Sequence, residues 1–276
     1  MPNKNDPSTL IGIFDSGVGG FSVFRAIRQL YPDLSLIYLG DQFHVPYGPR
    51  PIDEVQRFSK IITEWLLQKG AGLIVVACNT ASAAALYSLR QQYASIPFVG
   101  MEPAVKPAAE QTQTGKVGIL ATPATFQGKL YSSVVERFAR DVVLYQDTCK
   151  GLVEEIEKGN LHGPETRKIL TSALDPMLAA GIDTIVLGCT HYPFVIPLIR
   201  EIAGLQVRVI DPAPAVAKQV GRLLHLTDKT AKKTSTGEMQ IFTTGEAIAL
   251  ANLLPVLISE EFPVQSLTWK NKSLTE

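Results

Sequence analysis

Residues 184–193 read TIVLGCTHYP, a short run of β-forming residues that ends on a cysteine, with a threonine and a histidine behind it. Residues 73–81 read LIVVACNTA and have the same form, an apolar run followed by a cysteine and two polar residues. Continuous apolar runs of this length are typical of strands that are buried on both faces of a parallel sheet. The two segments therefore predict two such strands, with the thiols of Cys78 and Cys189 at their carboxyl ends.

Strand and helix patterns alternate around the first of these segments. Residues 10–14 are a short apolar run that ends on Asp15 and Ser16, and residues 36–40 are a second run that ends on Asp41. Residues 21–32 and 52–69 have the apolar spacing of amphipathic helices. This alternation predicts an α/β fold with mainly parallel sheets and helices on both faces of each sheet.

The pattern then starts again at residue 116. KVGILATPATF, residues 116–126, has the same order as LIGIFDSGVGGF, residues 10–21: a strand, polar residues at its end, a turn and a helix. In both halves the polar end of the first strand and the cysteine are roughly 65 residues apart, which indicates an internal duplication. We therefore expect two pseudo-symmetric, doubly wound domains with the active site in the cleft between them. The expected domain bounds are 1–103 with 213–276, and 104–212.

The segment after residue 213 is expected to complete the first domain. It contains a strand pattern at residues 239–245, a helix pattern at 246–258 and a short strand pattern at 264–269. The polar residues 227–237 are predicted to form an exposed loop. Residues 1–9 and 270–276 are predicted to be disordered.

Composition excludes several classes of protein. The chain has 276 residues, of which 46% are hydrophobic, and it carries 26 basic and 26 acidic side chains. Such a balance argues against a general nucleic-acid or membrane-surface binder. There is no signal-peptide pattern and no apolar run long enough to span a bilayer. Three widely spaced cysteines do not form a disulfide framework, so we expect free thiols and a cytoplasmic location.

The polar residues at the strand ends define the candidate site, because ligands of open parallel sheets bind beyond the carboxyl ends of the strands. Helices that begin after the two cysteines would direct free backbone N–H groups there, which favours a carboxylate ligand. The polar residues at these ends are Asp15, Ser16, Cys78, Asn79, Thr80, Thr122, Cys189, Thr190 and His191.

Two thiols on opposite sides of a small molecule suit racemisation or epimerisation by two bases. One thiolate removes a proton from carbon, and the opposite thiol returns a proton to the other face. This chemistry needs neither a metal nor pyridoxal, and we expect no cofactor. The carbanion must be stabilised by preorganised donors. Asp15 and His191 are candidates for assisting acid–base groups beside the thiols.

Each of these residues also has a simpler explanation. A cysteine at the end of a buried strand is usually a small core residue, and we expect this of Cys149, which has no polar cluster behind it. Asp15 and Ser16 could simply cap the first helix. His191 could be a structural histidine with its hydrogen bonds satisfied.

Other ligand classes receive little support. GVGG, residues 17–20, is not the dinucleotide-binding fingerprint, because Ser22 stands where its last glycine would be. There is no CxxC motif, so no metal site is predicted. A redox disulfide between Cys78 and Cys189 is geometrically conceivable, but no sequence feature supports it.

Four motifs, in this order, resemble those of the bacterial glutamate racemases of the aspartate/glutamate racemase superfamily. They are FDSGVGG at 14–20, PYG at 46–48, ACNTASA at 77–83 and GCTHYP at 188–193, and FTTGEA at 242–247 resembles the family's C-terminal strand. The resemblance implies cofactor-independent interconversion of L- and D-glutamate, which supplies D-glutamate for peptidoglycan. It also implies two α/β domains with the substrate buried between them, and a homodimer.

The resemblance also implies roles for individual residues. By position, Cys78 and Cys189 match the catalytic bases, which in the family deprotonate the D- and the L-enantiomer respectively. Asp15 and His191 match the flanking acid–base residues. The matched substrate-binding positions are Asp15, Ser16, Tyr47, Gly48, Asn79, Thr80, Thr122 and Thr190.

The family has a further assisting glutamate in its second half. The chain offers Glu154, Glu155 and Glu157 for this position. Alignment on Gly159 favours Glu157 and leaves Glu154 second. This chain departs from the family nearby, with Cys149 followed by lysine rather than proline, and with Ala-Thr at 124–125 where Gly-Thr is usual.

Two other functions remain open from the sequence. One is racemisation of aspartate or another substrate of the superfamily. The other is a carboxylate-binding protein that uses its strand ends without turnover. The thiols separate the second reading from a racemase, because a binding protein should keep its affinity when either cysteine is replaced.

Overall fold

The structure is a computed structural model that describes residues 10–226, 237–270 and 273–276. The predictions for residues 1–9 and for nearly all of the loop at 227–237 lie outside the described residues. The chain divides into two compact units, residues Met1–Met101 with Ala213–Glu276, and residues Glu102–Pro212.

The first unit contains a six-stranded sheet whose described strands all pair in parallel, in the order β10-β9-β2-β1-β3-β4. Its elements, in chain order, are β1 (Ile11–Asp15), α1 (Phe21–Leu30), β2 (Leu36–Gly40), α2 (Ile52–Gln68), β3 (Leu73–Val76), α3 (Asn79–Gln92), β4 (Phe98–Gly100), α10 (Ala213–Leu223), β9 (Met239–Thr243), α11 (Ala247–Ile258), β10 (Val264–Ser266), β11 (Thr268–Lys270) and β12 (Ser273–Thr275).

Helices cover this sheet because their apolar residues recur on one side. α2 buries Phe58, Ile62 and Leu66 in one apolar cluster with Ile74 of β3. Burial of each large side chain of this kind contributes about 1.5–3 kcal/mol to folding. The central strands β1, β2 and β3 are buried along their whole length, which is why they read as continuous apolar runs.

The C-terminal segment differs in part from the sequence prediction. The single strand expected at 264–269 is two strands: β10 joins the large sheet, whereas β11 pairs with β12 in a separate antiparallel hairpin. The prediction of disorder at 270–276 is wrong for the described residues, since Ser273–Thr275 form β12. Leu267 and Leu274 are buried in the apolar cluster of α2, and this burial orders the hairpin.

The second unit contains a four-stranded sheet, also parallel throughout, in the order β6-β5-β7-β8. The elements of this unit are α4 (Val105–Gln111), β5 (Lys116–Ala121), α5 (Pro123–Gln127), α6 (Lys129–Phe138), β6 (Val143–Asp147), α7 (Leu152–Glu157), α8 (Pro164–Ala179), β7 (Thr184–Gly188), a 3₁₀ helix (Tyr192–Val195), α9 (Ile196–Ala203) and β8 (Arg208–Ile210).

No helix in the described parts of the chain is long and apolar enough to cross a membrane.

The two sheets share one topology. In each, the first strand lies between the second and the third, and the fourth lies beyond the third: β2-β1-β3-β4 in one unit, and β6-β5-β7-β8 in the other. Cys78 and Cys189 both follow the third strand of this arrangement. The predicted α/β class with mainly parallel sheets is confirmed, and the shared strand order is what an internal duplication would produce.

Candidate active site

Polar residues of the first unit meet at one edge of the sheet. Asp15 is the last residue of β1, Asp41 follows β2 directly, and Thr244 follows β9. Cys78 comes two residues after the end of β3. Because the strands are parallel, their carboxyl ends lie on the same side, where such sheets bind ligands.

Cys78 is buried and stands immediately before helix α3. Its sulfur accepts a hydrogen bond from the backbone N–H of Ala81 at 3.4 Å, so the thiol itself is the N-terminal cap of the helix. Its S–H lies 3.9 Å from the hydroxyl oxygen of Ser16. The Ser16 hydroxyl in turn donates to the Asp15 carboxylate at 3.2 Å, and the Ser16 backbone N–H donates to the same oxygen at 2.6 Å. These contacts connect Cys78 to Asp15 through Ser16.

Asp15 and Ser16 do not cap the first helix. α1 begins at Phe21 after Gly20, and backbone carbonyls of the preceding turn accept from its first N–H groups: Val18 from Phe21 at 3.1 Å and Gly19 from Ser22 at 3.0 Å. Gly20 instead allows a close approach, because a Cβ at this position would lie 2.8 Å from Asp15 Cβ and 2.8 Å from the Tyr38 hydroxyl. The turn of FDSGVGG therefore packs directly behind the Asp15 side chain.

Asn79 is the first residue of α3, and its side-chain amide is buried. The residue is 3% exposed, and among the described residues neither Oδ1 nor Nδ2 has a hydrogen-bond partner. Burial of an unpaired amide costs about 1–3 kcal/mol, so such a group is usually explained by function. A ligand at the strand ends could satisfy both amide atoms.

The loop after β2 carries Tyr47 and Gly48, both of which are buried. The Tyr47 hydroxyl donates to Asp41 Oδ2 at 2.6 Å. Burial raises the pKa of Tyr47 well above its usual range, and the neighbouring Asp41 charge raises it further, so the phenol stays neutral. Asp41 was visible in the sequence as an acid at a strand end, but sequence reasoning did not include it in the site.

In the second unit, Cys189 directly follows β7 and has a histidine and a glutamate behind it. The Cys189 sulfur lies 3.8 Å from His191 Nδ1. The other ring nitrogen, Nε2, lies 2.6 Å from Glu157 Oε1, at the end of α7. All three side chains are largely buried, with His191 only 2% exposed.

The contacts of His191 with Cys189 and Glu157 favour the protonated imidazole. Burial lowers the pKa of His191, but the hydrogen bonds and charges of Cys189 and Glu157 raise it by more, so the pKa lies well above its usual range. The cationic form of the ring is therefore favoured. A cation beside a sulfur stabilises negative charge on that sulfur.

The structure distinguishes the three candidate glutamates of α7. Glu157 contacts His191, whereas Glu155 bonds with Lys158 and Asn160. Glu154 is exposed. The sequence could only rank these residues by alignment on the glycine at 159.

The α-helix expected after Cys189 does not begin at the cysteine itself. The chain makes a 3₁₀ turn at Tyr192–Val195, and α9 begins only at Ile196. Pro193 lacks the N–H that an α-helix starting at the cysteine would use for a hydrogen bond. The two halves therefore differ at the thiol: Cys78 caps a long helix, and Cys189 faces an imidazole.

The remaining predicted residues are all buried in their own units. Thr80 lies in the first turn of α3. Thr122 precedes α5, with its hydroxyl 3.0 Å from that of Thr125, and Thr190 lies between Cys189 and His191.

Cys149 is buried as expected. Burial and the Asp147 charge raise the pKa of its thiol well above the usual range, so it stays protonated. All three cysteines are free. Among the described residues, no group of three or more His, Cys, Asp or Glu side chains could hold a metal ion.

Known proteins resemble this chain over most of its length. Residues 19–220 match the Asp/Glu/Hydantoin racemase family. The glutamate racemase of Roseiflexus sp. (strain RS-1) is 49% identical over 245 residues, which are 88% of this chain and 90% of that protein.

Solved structures of glutamate racemases have the same fold as this chain. Glutamate racemase from Escherichia coli, in complex with L-glutamate and the activator UDP-MurNAc-ala, has a TM-score of 0.82 at 32% identity and covers 98% of this chain and 100% of its own. Glutamate racemase from Francisella tularensis, in complex with D-glutamate, has a TM-score of 0.80 at 26% identity, with coverage of 96% and 98%. The chain therefore belongs to the Asp/Glu/Hydantoin racemase family and, within it, to the glutamate racemases, which are isomerases.

Proposed function

We propose that this chain interconverts L- and D-glutamate, the reaction of the glutamate racemases, with Cys78 and Cys189 as the two bases. The observation that carries the assignment is the equivalence of the two thiols. Each is buried, each follows the third strand of a sheet with the same topology, and each has its own acid–base partners. The related proteins from E. coli and F. tularensis bind L-glutamate and D-glutamate respectively.

The reaction consists of two balanced proton transfers. The thiolate of one cysteine takes the Cα proton and becomes a thiol, and the electron pair of the C–H bond stays on the substrate as a carbanion conjugated with its carboxylate. The thiol of the other cysteine gives its proton to the opposite face of Cα and becomes a thiolate. The family resemblance assigns the D-enantiomer to Cys78 and the L-enantiomer to Cys189. The mechanism requires both sulfurs to reach the same α-carbon.

The partners of the two thiols differ in charge, so we propose different roles for them. The protonated His191, held by Glu157, stabilises negative charge on Cys189 while that sulfur acts as a base. At Cys78, the Ser16 hydroxyl connects the thiol to the Asp15 carboxylate, which can accept a hydrogen bond as the proton moves.

Substrate binding rests on the buried polar groups at the strand ends. The amide of Asn79, which bonds to no described residue, offers both a donor and an acceptor, and the first turn of α3 offers backbone N–H groups to a carboxylate. We propose the full set of contacts as Asp15, Ser16, Tyr47, Gly48, Asn79, Thr80, Thr122 and Thr190.

The deciding test is exchange in heavy water. Purified protein, with metals chelated and no pyridoxal added, is incubated with L-glutamate in D₂O. Optical rotation and the Cα proton signal are followed together. We expect rotation to decay to zero as deuterium enters Cα. If glutamate does not react, aspartate is the next substrate, and silence with both would favour a binding protein.

Single variants then test the two bases. Cys78→Ser and Cys189→Ser should each abolish racemisation while the circular dichroism spectrum is unchanged. Cys149→Ala is the matched control, because this thiol is also buried but is held protonated, and it should keep activity. Full racemisation by Cys78→Ser or Cys189→Ser would contradict the two-base assignment.

The proposal extends to the cell. Both thiols must stay reduced to act as bases, so we propose a cytoplasmic location.

We also propose that the D-glutamate supplies peptidoglycan synthesis, so that depletion of the protein should make growth depend on added D-glutamate. A homodimer, which the family resemblance implies, would appear in light scattering at twice the chain mass.

A further inference from the structure

Asp41 is a fully buried carboxylate that four side chains contact through polar atoms. The racemisation mechanism does not use it. Its exposure is 0%. Oδ2 accepts from the Tyr47 hydroxyl at 2.6 Å and lies 2.9 Å from His44 Nδ1. Oδ1 accepts from the Thr244 hydroxyl at 2.7 Å and from Trp269 Nε1 at 2.8 Å. These contacts use the roughly four acceptor sites of a carboxylate.

The four neighbours come from three separate parts of the first unit. Tyr47 and His44 lie in the loop after β2, Thr244 follows β9, and Trp269 belongs to the C-terminal hairpin. The backbone N–H of Asp41 also donates to the carbonyl oxygen of Asp15 at 2.9 Å. The network therefore connects the C-terminal hairpin to the loop of Tyr47 and to the end of β1.

Aromatic packing reinforces this connection. The His44 ring stacks on Phe58 with a centroid distance of 3.8 Å. The Trp269 indole lies 5.0 Å from the His44 ring, edge to face, and 5.6 Å from the Phe58 ring. Trp269 thus packs against the loop with its ring and bonds to Asp41 with its N–H. Contacts of aromatic rings in these geometries contribute about 0.5–1.5 kcal/mol each beyond burial.

The hydrogen of the Tyr47 hydroxyl is committed to Asp41. A phenol has a single O–H, so its oxygen presents only lone pairs to other groups in the site. This fits an ammonium group of an amino acid and disfavours a carboxylate. If Asp41 shifts, Tyr47 can rotate and lose this orientation.

We propose that Trp269 is a positioning residue for Tyr47: through its bond to Asp41, the C-terminal hairpin fixes the loop that carries the substrate-binding phenol. This inference rests on the proposed function for its kinetic readout only. Removal of one donor leaves a lone pair of a buried carboxylate unpaired, and the carboxylate then turns toward another donor or toward water. Tyr47 and its loop become less ordered as a result.

The test compares the two tryptophans of the chain. Trp269→Phe keeps an aromatic ring in the hairpin and removes the donor to Asp41. Trp65→Phe is the matched control, because Trp65 is buried in the apolar cluster that Trp269 packs against, with its ring 4.8 Å from that of Phe242. Both changes remove the same atoms, and only one removes a bond to Asp41.

Two readouts are measured on the full-length protein. Amide hydrogen exchange of residues 42–50 should be about tenfold faster in Trp269→Phe and unchanged in Trp65→Phe. KM for both enantiomers of glutamate should rise about three- to tenfold in Trp269→Phe, with kcat changed less than twofold, since the lost interaction binds substrate and transition state alike. Trp65→Phe should move neither value at a comparable loss of Tm.

Equal exchange rates and equal KM values in the two variants would show that the hairpin packs against the rest of the first unit without positioning the loop of Tyr47. That result would overturn the proposal. If Trp269→Phe does not fold, Thr244→Val removes another donor to the same oxygen and should raise KM and speed the exchange of residues 44–50. Phe43 is left out of this comparison because its own N–H donates to the Thr244 hydroxyl at 3.0 Å. If wild-type protein does not racemise glutamate, the proposed function fails, but the exchange of residues 42–50 still decides whether Trp269 positions the loop.

Discussion

Replacement of Asn79 by alanine should stabilise the protein and weaken its binding of glutamate. Truncation of a buried side chain normally destabilises a fold. Asn79 is an exception, because it is 3% exposed and neither atom of its amide is paired with any described residue. The folded protein without substrate therefore bears the cost of dehydrating that amide, and the variant does not.

The magnitude follows from three contributions. Removing an unpaired buried amide gains about 1–3 kcal/mol. Alanine gains up to about 0.7 kcal/mol in helix propensity at the start of α3. The lost contacts and the small cavity cost about 1 kcal/mol. We expect a net gain of about 1–2 kcal/mol, which raises Tm by about 2–8 °C for a protein of this size.

The affinity should change in the opposite direction. Hydrogen bonds from the amide to a charged group of glutamate contribute about 1.5–3 kcal/mol. Their loss weakens binding by about tenfold to 150-fold. Denaturant unfolding without glutamate measures the first effect, and titration calorimetry with L-glutamate measures the second.

Ser82→Ala is the matched control on the same helix. Ser82 is equally buried at 3%, but its hydroxyl donates to the Val76 carbonyl at 3.0 Å and accepts from the Met101 N–H at 2.9 Å. Its removal leaves two buried backbone groups unpaired and should cost about 1–3 kcal/mol. The reasoning is refuted if Asn79→Ala destabilises the protein as Ser82→Ala does, or if it binds glutamate as tightly as wild type.

Two further variants test the surroundings of the thiols. Glu157→Gln removes one cause of the raised pKa of His191, so the ring should lose its proton at lower pH and the alkaline limb of the pH–rate profile should move to lower pH, whereas Glu155→Gln should leave it in place. The pKa of His191 is higher in the folded protein than in the unfolded chain, so protonation of His191 stabilises the fold. This stabilisation is complete at a pH below the pKa of the unfolded chain and is lost as the pH rises through the pKa of the folded protein. Wild type and Glu157→Gln should therefore converge in unfolding free energy at high pH. Gly20→Ala places a methyl group 2.8 Å from Asp15 Cβ, and the displaced carboxylate should lower kcat by about tenfold or more at an unchanged circular dichroism spectrum. An unaltered kcat would mean that the turn adapts without moving Asp15.

Local sequence patterns were sufficient for the secondary structure that carries the site. Continuous apolar runs identified β3 and β7, and the residues directly behind them identified Cys78 and Cys189. These predictions succeed because a strand buried on both faces needs apolar residues at every position, which is a property of neighbouring residues alone. The repeated order of strand, polar residues and helix likewise anticipated the common topology of the two sheets.

The same local patterns failed where two tendencies compete over a few residues. After Cys189 the spacing suggested a helix, but Pro193 removes a backbone donor and a 3₁₀ turn forms first. Residues 264–269 have the pattern of a single strand. The chain divides it at Leu267, which is buried and turns the backbone from the large sheet to the hairpin.

By itself, then, the sequence determined the α/β class, the parallel sheets, the repeated succession of strand, polar residues and helix, and the two cysteines at equivalent strand ends. Only the tertiary structure decided which of three neighbouring glutamates reaches His191, that no described residue pairs with the buried amide of Asn79, and that Trp269 bonds to Asp41. The physical reason is the separation along the sequence of the residues that interact. Periodicity reports the environment of a residue within its own helix or strand, whereas a hydrogen bond across 228 positions depends on how whole elements pack, and that packing is a property of the complete fold.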